Sequence, residues 1–126
     1  MKKVLIADDD LFYRGMISGW VKAMGYDVVL ARNGIEAIDI YSKEHVDLVI
    51  LDVFMDIMNG IEVLNRLSVY ADMQAAKMVP VIVITSDMSK TTETLIRKEK
   101  AAFFLIKPFS REFLTDVVKE AVKAAG

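Results

Sequence analysis

Several apolar runs in this sequence end in residues that can act on a phosphoryl group. Asp8 and Asp9 follow VLIA, Asp52 closes VILD, Thr85 follows VIVI and Lys107 follows FFLI. In an open parallel sheet the carboxyl ends of the strands face one edge, so we expect these side chains to converge there. A carboxylate, a hydroxyl and an ammonium in one crevice indicate phosphoryl transfer, which depends mainly on positioning and on charge stabilisation.

The acidic residues divide into two roles. Asp52 stands alone at its strand end, and an aspartate can attack phosphorus to form an aspartyl phosphate, so it is the predicted nucleophile. Asp8 and Asp9 are left to hold a cation, because clustered carboxylates repel unless a proton or a metal ion intervenes. Oxygen ligands of this kind favour Mg²⁺. Thr85 and Lys107 then offer a hydroxyl and a positive charge to the phosphoryl oxygens.

Each of these residues also has a purely structural interpretation. Asp9 or Asp10 before a helix is a common N-cap. Thr85 at the start of a loop is typical of turns, and Lys107 before Pro108 is compatible with a solvated lysine. The functional interpretation depends on their joint placement at strand ends.

The elements that must position these residues alternate along the chain. Short, continuous apolar runs predict strands buried on both faces, and the amphipathic stretches between them predict helices. The predicted strands are 4–7, 28–31, 48–51, 81–84 and 103–106, and the helices are 12–24, 34–43, 60–69, a segment within 89–100, and 111–125. This alternation predicts one α/β domain over residues 1–126, a flavodoxin-like (βα)5 three-layer sandwich whose parallel five-stranded sheet has the order 2-1-3-4-5.

Two predicted helices differ in the number of apolar residues that can anchor them to the core. The first carries an apolar stripe that includes Phe12, Trp20 and Val21, and Gly25 then ends it. The fourth has only Leu95 and Ile96 as strong apolar anchors, so we expect it to be held weakly.

Composition limits the function classes. The 126 residues suit one domain, and 54% hydrophobic residues with 27% charged ones suit a folded core. A net charge of −2 without a long basic run argues against direct nucleic-acid binding. The absence of cysteine excludes disulfides, and no apolar segment has the length of a membrane span, so we expect a cytoplasmic protein.

The chain resembles the receiver domain of two-component response regulators along essentially its whole length, and looks like the stand-alone, CheY-like type. The matching pieces are LIADDD, DLVILDVFMDIMNG, PVIVITS and FFLIKPF. Because AVKAAG ends where an output linker can begin, a receiver cut from a longer regulator stays an alternative.

The resemblance implies that Asp52 accepts a phosphoryl group from a phosphohistidine of a sensor histidine kinase or phosphotransfer protein. It implies that Asp9, Asp52 and the backbone carbonyl of Phe54 ligate Mg²⁺, with Asp8 acting largely through water. Thr85 and Lys107 match the family's hydroxyl and lysine, and the bond from Lys107 to Pro108 matches one that is usually cis.

The resemblance also implies a conformational response. Thr85 moves toward the phosphoryl group, and the aromatic Phe104 turns inward behind it. We expect the face built from the fourth helix, the fifth strand and the last helix to bind an unidentified downstream protein differently in the two states. This face includes Lys90, Phe104 and the segment 107–109, and the protein is expected to be a monomer or a phosphorylation-dependent dimer.

Some positions depart from the family pattern or vary within it. Asp56 replaces a usual proline, and Lys100 replaces a common glycine before the fifth strand. Phe54 and Asp87 occupy the variable positions that flank the path of hydrolytic water, so a bulky Phe54 is predicted to lengthen the life of the phosphoryl group.

Two other function classes compete with a receiver. Asp8 and Asp10 resemble the nucleophile motif of haloacid-dehalogenase-like phosphatases, although the chain is short for that fold and Asp52 is left without a role. An interaction module that works without phosphorylation is the other alternative. A receiver catalyses only its own phosphorylation and dephosphorylation, so we class the protein as a non-enzyme.

Overall fold

The computed structural model describes residues 2–55, 57–86, 89–98, 101 and 103–125. Five strands and five helices alternate along this part of the chain. They are β1 (Lys3–Ala7), α1 (Leu11–Ala23), β2 (Asp27–Ala31), α2 (Gly34–Lys43), β3 (Leu48–Asp52), α3 (Gly60–Met73), β4 (Val81–Thr85), α4 (Lys90–Lys98), β5 (Phe103–Ile106) and α5 (Arg111–Ala125).

The strands form one parallel sheet in the order β2-β1-β3-β4-β5, which confirms the predicted flavodoxin-like fold. The apolar residues of β1, β3 and β4 are buried on both faces of the sheet, apart from the half-buried Lys3 at the start of β1, as expected for central parallel strands. The prediction was wrong for β2 and β5, which lie at the two edges of the sheet and have several exposed or half-buried side chains.

Helices cover both faces of the sheet. One apolar cluster joins α1 and α5 to the sheet through side chains such as Ile17, Val21 and Leu114. The other joins α2, α3 and α4 through side chains such as Ala37, Leu64 and Ile96. The molecule is therefore a three-layer sandwich with two helices on one face and three on the other.

Local signals set the helix ends. Side chains of Asp10, Asn33 and Asn59 accept hydrogen bonds from backbone amides in the first turns of α1, α2 and α3. Gly25 follows α1 with a φ of 93°, a conformation that favours glycine and ends the helix where the sequence predicted.

Two helix predictions needed correction. Helix α3 continues to Met73 instead of ending near Val69, because the buried Ala71 extends its apolar stripe by another turn. In α1, Phe12 is 70% exposed and does not belong to the core stripe. Among the described residues, no helix is long and apolar enough to cross a membrane.

Candidate functional site at the carboxyl edge of the sheet

Four neighbouring segments deliver polar side chains to one edge of the sheet. Asp8 follows β1, Asp52 ends β3, Thr85 ends β4 and Lys107 follows β5. The parallel register places Asp52 beside Ile84, one residue before Thr85. The backbone N–H of Lys107 donates to the carbonyl oxygen of Thr85 at 2.8 Å, which joins the last two segments. The register thus brings residues from across the chain to one place.

Lys107 lies between two of the predicted acids. Its Nζ is 3.2 Å from Asp8 Oδ2 and 3.3 Å from Asp52 Oδ2. Asp8 is 1% exposed and Asp52 is 3% exposed, so water screens these charges poorly. A single ammonium therefore bridges two buried carboxylates.

The two oxygens of Asp8 have different surroundings. Oδ1 accepts a hydrogen bond from the backbone N–H of Asp10 at 2.9 Å. Oδ2 is buried and has no aligned hydrogen bond among the described residues, although the Lys107 ammonium lies at ion-pair distance. A buried carboxylate oxygen without an aligned hydrogen bond is a suitable ligand for a cation.

The three acids fit a metal ion. One oxygen from each of Asp8, Asp9 and Asp52 lies within 4.8 Å of the others, and Asp9 is the exposed member of the set. Carboxylate oxygens without nitrogen or sulfur ligands suit a hard cation such as Mg²⁺. The described residues thus contain an acidic cluster able to bind a metal.

The electrostatics of Asp52 reflect this crowding. Burial raises the pKa of Asp52, the neighbouring charge of Asp8 raises it further, and together they bring it to about 7 despite the opposing effects of Lys107 and the Phe54 amide. Burial lowers the pKa of Lys107, but attraction to Asp52 and Asp8 outweighs it and leaves the pKa raised. Lys107 therefore stays a cation, whereas Asp52 is partly protonated near neutral pH.

The remaining predicted site residues lie around this centre. Thr85 is buried at the end of β4. Phe54 is 49% exposed, and its backbone N–H donates to Asp52 Oδ1 at 3.2 Å. Asp87, Asp56 and Lys100 lie outside the described residues.

The predicted aromatic switch lies on the α4 side of the sheet. Phe104 is half-buried in β5 and packs against the cluster beneath α2, α3 and α4. The guanidinium carbon of Arg97 lies 5.6 Å from the centre of its ring. The peptide bond from Lys107 to Pro108 is cis, as the resemblance implied.

Some polar residues have structural roles. Asp10 is the N-cap of α1, and its Oδ1 accepts from the amides of Phe12 and Tyr13 at 2.8 and 3.3 Å. From the sequence, this role was open between Asp9 and Asp10.

Two residues that touch the site were missed. Nη1 of Arg14 donates to the carbonyl oxygen of Asp8 at 2.8 Å, and the ring of Tyr13 lies beside the Lys107 ammonium. Both stand in the first turn of α1, which follows the acid pair, but their contacts with the site depend on side-chain directions that spacing along the chain does not encode.

The loop after Asp52 is shaped by close backbone contacts. A side chain at Gly60 would collide with the carbonyl oxygen of Asp52, and one at Gly34 would collide with the carbonyl oxygen of Met58. The N–H of Gly60 donates to the carbonyl oxygen of Val53 at 2.8 Å. Helix α3 thus begins directly against the backbone of Asp52.

Comparison with known proteins agrees with this arrangement. A family model described as the response regulator receiver domain matches residues 4–119. The polar-differentiation response regulator DivK of Brucella ovis is 28% identical over 118 residues, which cover 94% of each protein. The probable transcriptional regulator ycf27 of Porphyridium aerugineum is 30% identical over 123 residues, 97% of this chain, and the match spans only 48% of that relative.

Solved structures show the same architecture. The chemotaxis protein CheY4 of Vibrio cholerae superposes with a TM-score of 0.86 at 30% identity, covering 96% of this chain and 98% of that one. A receiver domain of the Francisella response regulator 1452 has a TM-score of 0.86 at 27% identity and full coverage of both chains.

Proposed function

The chain belongs to the response regulator receiver family, and we propose that it accepts a phosphoryl group on Asp52 from a phosphohistidine of a partner protein. The observation that carries this proposal is the placement of the Lys107 ammonium 3.2 and 3.3 Å from the carboxylates of Asp8 and Asp52. Family membership displaces the haloacid-dehalogenase-like alternative, and Asp10, the second acid of that motif, caps α1.

The proposed reaction is a direct transfer. A carboxylate oxygen of Asp52 attacks phosphorus, an O–P bond forms, the P–N bond to histidine breaks, and its electron pair stays on the histidine nitrogen. Lys107 and the hydroxyl of Thr85 stabilise negative charge on the phosphoryl oxygens. Asp52 and Thr85 are buried, so water weakens these interactions little.

Magnesium is the proposed cofactor. Asp9, Asp52 and the backbone carbonyl of Phe54 would hold it directly, and Asp8 would act largely through water. When bound, the ion would favour the ionised form of Asp52 and neutralise phosphoryl charge. The buried Oδ2 of Asp8, which has no aligned hydrogen bond among the described residues, and the clustered acids support this assignment.

The donor is proposed to be a sensor histidine kinase or a phosphotransfer protein, and the output an unidentified protein that reads the α4-β5-α5 face. The chain would work as a single receiver domain over residues 1–126 in the cytoplasm. It would catalyse only its own phosphorylation and dephosphorylation.

Intact mass after incubation with Mg²⁺ and acetyl phosphate tests the acceptor. We expect one added phosphoryl group in the wild type, none in Asp52→Asn, and retention of the group in the control Asp10→Asn, since asparagine is also a good N-cap. An addition that survives in Asp52→Asn would refute the assignment. No addition in the wild type, with either acetyl phosphate or a phosphorylated histidine phosphotransfer domain, would favour a phosphorylation-independent module.

Hydrogen exchange tests the proposed output face. Phosphorylation should change exchange in the amides of α4 and β5, because a small displacement at Thr85 biases how Phe104 packs. Unchanged exchange in α4 would show that this helix does not respond to phosphorylation and is an ordinary surface helix. Helix α2, on the same face of the sheet, serves as the internal reference.

A further inference from the structure

We propose that Tyr13 is a positioning residue that holds the Lys107 ammonium over the phosphoacceptor through a cation–π contact. Lys107 Nζ lies 4.1 Å from the centre of the Tyr13 ring. The same atom lies 3.2 and 3.3 Å from the oxygens of Asp8 and Asp52, so the ring is a third contact of one ammonium. This inference rests on the proposed role of Lys107 in phosphoryl binding.

A lysine at this position needs such a contact. Its four-carbon stem is flexible, and an ammonium presents rotatable donors with no preferred plane, unlike a guanidinium. Two carboxylate oxygens attract the charge without defining one position for it. An aromatic face attracts a cation more strongly when water is largely excluded, and the Lys107 side chain is only 12% exposed.

The ring is itself held in place from several directions. Tyr13 lies in the first turn of α1, where its backbone N–H donates to the capping Asp10. Its ring meets Phe12 edge to face, with centres 5.7 Å apart, and Phe109 at 6.1 Å. Trp20, two turns further along α1, meets Phe109 at 6.4 Å. Phe109 lies in the turn that carries Lys107, so the aromatic cluster of Tyr13, Trp20 and Phe109 joins α1 to that turn.

The cluster provides matched variants. Tyr13→Leu keeps an apolar side chain and removes the ring, whereas Tyr13→Phe keeps the ring and removes only the hydroxyl. Trp20→Leu removes an aromatic contact to Phe109 without touching the ammonium. A positioning role predicts that only the first variant disturbs Lys107.

The first readout is the proton chemical shift of the Lys107 ε-methylene in the free protein. A methylene over a ring face is shifted upfield, so the shift should be present in the wild type, Tyr13→Phe and Trp20→Leu and lost in Tyr13→Leu. Persistence of the upfield shift in Tyr13→Leu would overturn the proposed contact. This measurement does not depend on phosphorylation.

The second readout is the affinity for beryllofluoride with Mg²⁺, a phosphoryl mimic that binds an aspartate. Tyr13→Leu should bind it roughly 3- to 10-fold more weakly, and Tyr13→Phe should restore the affinity. Equal affinity in Tyr13→Leu would mean that the ring has no role in binding. An equal loss in Tyr13→Phe would assign the effect to the hydroxyl, and an equal loss in Trp20→Leu would assign it to aromatic packing. Each of these results would overturn the proposal. If the wild type fails to bind the mimic, the phosphoacceptor function fails instead, and the chemical shift still decides whether the ring holds the lysine.

Discussion

Helices α1 and α4 both follow strands that end at the site, yet they are held to the sheet in different ways. Helix α1 buries Ile17 and Val21, begins at a capping aspartate and carries the aromatic cluster that meets the Lys107 turn. Among the described side chains of α4, only Ile96 is buried in the core, and Leu95 is 40% exposed. The chemistry thus lies beside a firmly packed helix.

This difference suits the two tasks of a receiver. Phosphoryl transfer needs groups held in a narrow geometry, because small misplacements cost rate. Signalling needs an element that changes packing at a low free-energy cost, and such elements come from the less stable parts of a fold. We therefore expect substitutions on the α1 side to alter chemistry or global stability, and substitutions on the α4 side to alter local order.

The largest expected effect is a difference in the loss of stability between a core substitution in α1 and one in α4. Ile17→Ala should lower the free energy of unfolding by about 3 kcal/mol, since it leaves a cavity in a core that cannot open locally. Ile96→Ala should cost only about 1 kcal/mol, because α4 can detach while the rest stays folded. Urea denaturation measures both values, and hydrogen exchange should show faster exchange confined to α4 in the second variant.

The corresponding Ile→Val substitutions control for simple loss of volume. Equal costs for Ile17→Ala and Ile96→Ala, with no local change in α4, would remove the distinction between the two helices.

The next effect concerns the lifetime of the phosphoryl group on Asp52, the proposed acceptor. Phe54→Asn should speed loss of phosphate by about 3- to 10-fold, because a smaller polar side chain at the edge of the site admits and orients water. This change corresponds to roughly 1 kcal/mol in the activation free energy of dephosphorylation. The decay of the phosphorylated mass after removal of the donor gives the rate. Phe54→Leu, which keeps apolar bulk, should decay close to the wild-type rate.

Hydrogen exchange of α4 in the phosphorylated protein should be the same with and without this substitution. A Phe54→Asn variant that loses phosphate no faster would show that Phe54 does not shield the group.

The acid cluster should make metal-free stability depend on pH. The pKa of Asp52 is about 7 in the folded protein, above its ordinary value of 3.8, so the folded state binds more protons than the unfolded state between these values. Its contribution to stability is complete below pH about 4 and is lost as the pH rises through about 7. The melting temperature in EDTA should therefore fall by a few degrees between pH 5 and 8 because of this group.

Asp52→Asn should flatten that dependence, while Asp10→Asn should leave it unchanged. Lys107, with a pKa raised above its already high value, stays charged over this interval and adds no slope. A wild-type melting temperature whose change from pH 5 to 8 equals that of Asp52→Asn would contradict the elevated pKa.

The smallest effect concerns Phe104. Arg97→Gln removes the guanidinium from the ring, 5.6 Å away, and should cost less than about 1 kcal/mol of stability. It should still shift the ring resonances of Phe104 and accelerate exchange in α4. Since Arg97 also pairs with Glu93 at 3.1 Å, Glu93→Gln controls for loss of the ion pair alone. Identical spectra for Phe104 in Arg97→Gln and wild type would show that Arg97 does not restrain the ring.

The sequence predicted the fold better than the contacts of the site. Apolar strand runs and turn residues determine the order of elements, so strand ends such as Asp52 and Lys107 could be placed in one crevice from the sequence alone. Burial of β2 and β5 was overestimated, because the residues of these strands do not reveal which strands lie at the edges of the sheet. The contact of Tyr13 with Lys107 joins distant segments through side-chain directions, which spacing along the chain does not encode.

Gly60 has a consequence for how this protein tolerates change. Its missing side chain leaves room for the carbonyl oxygen of Asp52, so the start of α3 and the acceptor share one small volume. Any larger residue there must displace the acceptor or the helix. In a library of single substitutions selected for signalling, this position should therefore tolerate replacement as poorly as Asp52, the proposed acceptor, although it has no reactive group of its own.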